Sequence, residues 1–328
     1  MATSSTTMGP AGASSRSRAF LARLKSGDAI AHTITLIFGA VIILITVLLF
    51  YQLWVNSAAS RSKFGFHFFA TSTWDPVAQQ FGALPFIYGT LVTTALALLI
   101  AVPLGLGAAI FLSELAPPRL SAGLSYVIDL LAAVPSVIYG LLAIFTLLPL
   151  MSKTIEPFLK RTLGFLPLFR GPAYGVGFLA AGFVLTVMIV PYIISVSREV
   201  LLAVPRDQRE AALGLGATRW ETTWKVVVPF ARSGILGSIL LSMARALGET
   251  MAVTMVIGNT PKISASLLSP GYSIAAVIAN EFSEATGTVY LSSLVELGLV
   301  LFLLTFILNG LARILITMTA QRGSEVQA

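Results

Sequence analysis

Six long apolar runs set the limits on what this chain can fold into: Thr33–Val55, Leu84–Leu112, Leu124–Leu150, Ala173–Val196, Ser233–Ile257 and Val289–Ile316. Each reaches the roughly 20 residues that an α-helix needs to cross a hydrocarbon core about 30 Å thick. A bilayer core offers no water to exposed backbone groups, so such runs are expected as helices. The balance of the chain agrees. It is 56% hydrophobic and only 11% charged, against about 25% charged in globular proteins. The expected class is an all-α membrane protein with six transmembrane helices and no large soluble domain. Several runs exceed the minimum, which predicts tilts or kinks, and Pro103, Pro135 and Pro191 fall inside three of them.

Lysine and arginine set the orientation. With six spans and the N-terminus inside, 13 Lys and Arg fall in the inside segments and 7 in the outside ones, and Arg245 lies in a span. This bias predicts both termini in the cytoplasm. The domain reading follows: a disordered basic cytoplasmic tail over 1–28, a first span and external loop over 29–84, a membrane core over 85–318 with a cytoplasmic loop at 205–230, and a cytoplasmic tail over 319–328. The net charge of +7 is what basic cytoplasmic loops produce and gives no reason to expect nucleic acid. The run Thr33–Val55 is too long for a signal-peptide core of about 7–15 residues.

Several chemistries are excluded or unsupported. The chain has no cysteine, and its two histidines, His32 and His67, flank the first run on opposite sides. No metal site or cofactor is expected. An enzyme would need a nucleophile, base or metal set, and no such cluster is present. No lysine follows a glycine, so the Gly-Lys-Ser/Thr step of a phosphate-binding loop is absent.

The most informative polar segment is "VPRDQREAALGLGATRWETTWKVVVPFARSG" between the fourth and fifth runs. Pro205 ends the preceding helix. Asp207 and Glu210 have capping-box spacing, which predicts a helix start at Asp207. Gly214 or Gly216 can end that helix. Glu210-Ala211-Ala212, then three residues and Gly216, then nine residues and Val226-Val227-Val228-Pro229, resembles the EAA loop of binding-protein-dependent ABC importer permeases. Val226 and Val228 stand where that pattern has Ile and Leu.

Three further stretches, "FGALPFIYGTLVTTALALLIAVPLGLGAAIFLSE", "LLAAVPSVIYGL" and "ARALGETMAVTMVIGN", resemble the phosphate-specific permeases of the Pst system in their C-type form. The resemblance covers about Trp74 to the end of the sixth span. It implies the type I ABC importer permease fold. It also implies a heterodimer with a homologous A-type permease, two ATP-binding subunits, an extracytoplasmic phosphate-binding protein, and phosphate as solute in a lipid bilayer. The helix bearing Glu210, Ala211, Ala212 and Gly216 would couple to the ATPase. An intramembrane arginine and glutamate matching Arg245 and Glu249 are implicated in transport in that family. A permease for sulfate or molybdate is the near alternative, and a membrane sensor or scaffold a more distant one.

Arg245 and Glu249 are spaced i, i+4, which on an unbroken helix puts them on one face. A charge near the bilayer centre costs roughly 2.5–3.5 kcal/mol on insertion scales. Three readings of the pair stand. The charges neutralise each other and join helices; or Arg245 meets phosphate while Glu249 holds it; or Glu249 relays protons. Asp129 is expected to be solvated, Glu296 to face the bundle or water, and Tyr139 to pack.

Overall fold

All six runs contain long helix in the computed structural model, but two of them are interrupted. The structure describes the backbone of residues 28–324 and the side chains of residues 31–314. The tail expected over 1–28, apart from Asp28, lies outside the described residues, as do residues 325–328 of the C-terminal tail. Among the described residues, six helical stretches are long and apolar enough to span: Ala31–Asn56, Leu84–Leu115, Ser136–Leu163, Phe178–Leu202, Arg219–Leu247 and Thr288–Ile314.

The chain divides into two compact units at Val55 and Asn56. The first holds nearly all of α1 (Asp28–Asn56). Its apolar side chains point out all round. Thr35 and Thr46 return their hydroxyls to the carbonyls of Ala31 and Ile42, at 2.8 and 2.9 Å. Such internal bonding is what a lipid-facing helix requires.

The second unit begins with α2 (Ala58–Phe64), α3 (His67–Ala70) and a small antiparallel hairpin. In the hairpin β1 (Trp74–Asp75) pairs β2 (Gln80–Phe81) with Trp74 opposite Phe81. Then come α4 (Leu84–Ile110), which continues as a π-helical turn Phe111–Leu115, and α5 (Pro118–Ala132). Helix α6 (Ser136–Leu142) runs on through Ala143–Ile155 into α7 (Glu156–Leu163). The remaining helices are α8 (Phe178–Leu202), α9 (Arg206–Gly214), α10 (Arg219–Thr222), α11 (Val228–Leu247), α12 (Met251–Val256), α13 (Ile274–Glu281) and α14 (Thr288–Ser324). A π-helical segment Thr223–Val227 joins α10 to α11.

Helices α4 and α8 form the centre. A Cβ on Gly105 would lie 2.7 Å from Ile193 Cγ2, and one on Gly182 would lie 2.5 Å from Leu96 Cδ2. Glycine at these two points lets the backbones approach, as small residues do between membrane helices. Around this pair Ala97, Tyr139, Leu185, Ile189 and Val253 form one core. Phe81, Phe86, Tyr272, Tyr290 and Leu294 form a second at the start of α4. Ile110, Leu112, Ile194, Leu201 and Ile235 form a third at its end. Ser197 and Ser238 share a buried hydrogen bond of 2.7 Å between α8 and α11.

Two expectations need correction. The run Leu124–Leu150 is not one helix. It breaks after Ala132, and the third spanning stretch is Ser136–Leu163. Pro135 explains the break: it restricts Val134 and has no N–H to continue the ladder. Pro103 and Pro191, by contrast, stay inside continuous helices. Beyond the end of the run Leu124–Leu150, Met151–Leu163 is helical as well. The run Ser233–Ile257 is also broken, at Gly248–Thr250, between α11 and α12.

Candidate functional site

Helix α9 stands on the surface with no buried residue. Its expected start is wrong in detail. Pro205 is the N-cap, and no side-chain capping bond is made there, so Asp207 and Glu210 do not form a capping box. Proline at this position supplies its fixed φ and needs no donor. The capping box lies one helix later: Thr218 Oγ1 accepts from Glu221 N at 3.2 Å, and Glu221 Oε2 accepts from Thr218 N at 3.0 Å.

The end of α9 explains Gly216. Its φ is +90°. Gly216 N donates to Leu213 O at 3.0 Å and Ala217 N to Ala212 O at 3.1 Å. These are the two bonds of a Schellman motif, with the left-handed residue just past the cap. A Cβ there would meet nothing within 4 Å, so backbone conformation, not crowding, calls for glycine. Glu210, Ala211 and Gly216 are exposed and Ala212 is half-buried.

Sequence reasoning missed the residue that holds α9 in place. Arg209 donates to both carboxylate oxygens of Glu114, Nη2 to Oε1 at 2.9 Å and Nε to Oε2 at 3.2 Å. It also donates to the carbonyls of Val204 and, at 2.7 Å, Leu201. Those carbonyls lie at and just past the C-terminus of α8, where unpaired oxygens and the helix dipole favour a cation. One guanidinium therefore ties α9 to the ends of α4 and α8. Opposite charges on polar segments were the only available signal, and a separation of 95 residues hid the pairing.

The second locus is the break after α11. Arg245 lies in the last turn of α11 and Gly248 is its C-cap. Glu249 falls in the break, so the two charges do not share a continuous helix face. No ion pair joins them among the described residues. Glu249 Oε1 instead accepts from Ala252 N at 3.1 Å, at the start of α12. Arg245 is half-buried. Its Nε is buried without a hydrogen-bond partner, and its guanidinium carbon lies 5.8 Å from the centre of the Tyr192 ring. The reading in which the pair neutralises itself is thus not what the fold displays. The break leaves a half-helix C-terminus beside a cation without an ion-pair partner among the described residues.

Tyr139 is buried. Its hydroxyl donates to Leu131 O at 2.7 Å, a second bond to a carbonyl that also accepts from Val134 N at 3.2 Å where α5 ends. It packs, as expected. Asp129 is tied down more than expected, accepting from Ser195 Oγ at 2.8 Å. Glu296 faces the bundle: it is 1% exposed and its Oε2 has no hydrogen-bond partner. It lies beside Ser60, whose hydroxyl also receives a bond from Ser293 at 3.0 Å. At the start of α4, Glu281 Oε2 accepts from Trp74 Nε1 at 2.8 Å and Tyr290 OH at 2.7 Å. Burial pushes the nearby Tyr272 hydroxyl up to about 12. No group of three or more acidic or histidine side chains is placed to hold a metal among the described residues.

Residues 101–319 match the family described as binding-protein-dependent transport system inner membrane component. A phosphate transport system permease protein PstC from Mesorhizobium japonicum is 46% identical over 96% of this chain and 98% of its own length. The chain belongs to the PstC family of these inner membrane components. PstC proteins of Xylella fastidiosa and Haemophilus influenzae are 48% and 46% identical, over 81% and 88% of this chain and 82% and 92% of theirs. Two solved structures share the fold. One is a bacterial ABC transporter involved in the import of the acidic polysaccharide alginate, with TM-score 0.59 at 14% identity over 90% of this chain and 99% of that one. The other is the MetNI methionine ABC transporter in an inward-facing conformation, with TM-score 0.53 at 16% identity over 75% and 99%. The permease is a multi-pass, non-enzymatic inner-membrane subunit.

Proposed function

We propose that this permease conducts inorganic phosphate through the membrane in an ATP-driven importer, with Arg245 as a transient contact for the anion. The observation that carries the reading is the state of Arg245. A half-buried guanidinium with a buried Nε lacking a partner sits at the interruption of a spanning helix. Discontinuous helices are where membrane transporters commonly place solute sites. Guanidinium matches phosphate oxygens in a bidentate fork. The Tyr192 ring supports the cation without competing for the anion. Glu249 orders the start of α12 and leaves Arg245 unpaired, so the contact forms and releases as solute passes.

The same reading supplies the partners. The exposed helix α9 docks on an ATP-binding subunit, of which the importer holds two. A homologous A-type permease completes the pathway, and an extracytoplasmic binding protein delivers phosphate. Both termini lie in the cytoplasm.

The test is uptake of labelled phosphate by cells lacking other phosphate routes and carrying the complete importer. Arg245→Ala is expected to lower uptake at least about tenfold, since a charged hydrogen bond is worth about 1.5–3 kcal/mol and 1.4 kcal/mol is tenfold. Arg245→Lys keeps the charge, loses the fork and falls between. The complex must still assemble in both. Normal uptake by Arg245→Ala removes Arg245 from the pathway. Uptake of sulfate or molybdate in place of phosphate by the unaltered importer reassigns the solute.

A further inference from the structure

Beyond the solute pathway, a groove of about 370 Å³ lies between the end of α4 and the segment that leads from α9 into α11. Pro103, Leu106, Ile110 and Leu115 form one wall, and Trp220 and Trp224 the other. The two indoles meet edge to face, 5.6 Å between centroids. Both walls belong to spanning stretches, so the solvent at the groove is lipid as well as water. Tryptophan pairs of this kind sit at the headgroup level of membranes.

The occupant follows from polarity and charge. The groove's lining offers a free anion almost nothing to bond, and an apolar cavity does not hold water stably. An acyl chain meets this apolar lining and asks it for no hydrogen bond. The chain leaving each wall then presents a cation: Arg119 four residues past Leu115, and Arg219 next to Trp220. Both are exposed, and neither is in an ion pair among the described residues.

We infer that this groove binds one anionic phospholipid, with an acyl chain against Trp220 and Trp224 and the phosphate held by Arg119 and Arg219. The consequence is mechanical. The α4 wall continues into the π-helical turn whose Glu114 grips Arg209 of α9. The other wall begins directly after α9. The lipid would brace both supports of that helix.

Fluorescence quenching tests this in the assembled importer. It would be reconstituted in phosphatidylcholine vesicles containing a small fraction of brominated phosphatidylglycerol or, separately, brominated phosphatidylcholine. The signal of Trp220 and Trp224 is the difference from the Trp220→Phe/Trp224→Phe variant. Brominated phosphatidylglycerol is expected to quench it preferentially, by about fivefold for each participating arginine. Arg119→Gln with Arg219→Gln should remove the preference and leave residual quenching by both lipids. Equal quenching by the two lipids in the unaltered protein overturns the inference. So does absence of quenching by either, which would mean that protein fills the groove. If the arginine variant fails to assemble, the two-lipid comparison on the unaltered protein still decides. Phosphate uptake is not the readout, so the outcome is independent of the function proposed above.

Discussion

Arg209 and Glu114 form a two-point ion pair, Nη2 to Oε1 at 2.9 Å and Nε to Oε2 at 3.2 Å, across the joint between α9 and α4. Their side chains are only 20% and 9% exposed. Removing one partner of a mostly buried pair strands the other and costs on the order of 3–5 kcal/mol. Glu114→Ala and Arg209→Ala should therefore both loosen α9. Arg209→Ala should do more, because it also releases the carbonyls of Leu201 and Val204. Hydrogen exchange over residues 205–217 should rise in both variants, with slow exchange retained in α8. A charge-reversed double variant should not recover, since a glutamate at 209 cannot serve those carbonyls. Recovery would show that only the ion pair matters.

Gly216 makes a separate prediction. Left-handed backbone costs a non-glycine residue roughly 1–2 kcal/mol, and open space around the position offers no steric penalty to add. Gly216→Ala should thus destabilise the α9 end by about that amount, and Gly216→Asn by less, since asparagine tolerates this region. Uptake by the two variants should rank glycine, asparagine, alanine. A rank that followed side-chain size instead would place the constraint in a partner surface.

Tyr139 separates packing from transport. Tyr139→Phe keeps the ring in the core and removes the bond to Leu131 O. That carbonyl keeps its bond from Val134 N, so the loss should cost about 0.5–1.5 kcal/mol and lower the melting temperature in detergent modestly. Phosphate uptake per assembled complex should stay near normal. A large fall in uptake with unchanged melting would instead make the hydroxyl part of the pathway.

How far these features were legible in the sequence depends on the range of the interactions behind them. Apolar length alone gave the spans, because a membrane filters for length and polarity. The local spacing of Glu210, Ala211, Ala212 and Gly216 gave the surface helix, and Gly216 could be read because Schellman bonds join near neighbours. The break at Gly248–Thr250 was missed. The run through "ALGETMAV" is apolar enough to pass as one helix, and only packing around Arg245 and the capping bond from Ala252 reveal two. The Thr218–Glu221 box was equally local, but Asp207 and Glu210 carry the same spacing without the bonds. Pro205 won there because its rigid φ starts a helix without a side-chain cap. Arg209 and Glu114 were out of reach, since nothing local at either residue names the other.

The approach of α4 to α8 gives the last prediction. A methyl at Gly105 would sit 2.7 Å from Ile193 Cγ2 and 2.9 Å from its Cβ, distances that force one helix to move. In an open helix, Gly→Ala gains about 1 kcal/mol. Here overpacking costs typically 1–3 kcal/mol, so Gly105→Ala should be neutral to destabilising by about 2 kcal/mol. Ile193 is fully buried, and Ile193→Ala alone should cost about 2–5 kcal/mol through lost contact and cavity. Combined, the clash with Cγ2 disappears and only the 2.9 Å approach to Cβ, which alanine keeps, remains. The double variant should be more stable than the sum of the single changes by about 0.5–1 kcal/mol, a coupling expected only of residues in contact. Unfolding midpoints in mixed detergent for the four proteins measure it. Strict additivity would mean that α4 and α8 do not approach at this point, and the packing at the centre of the bundle would have to be redrawn.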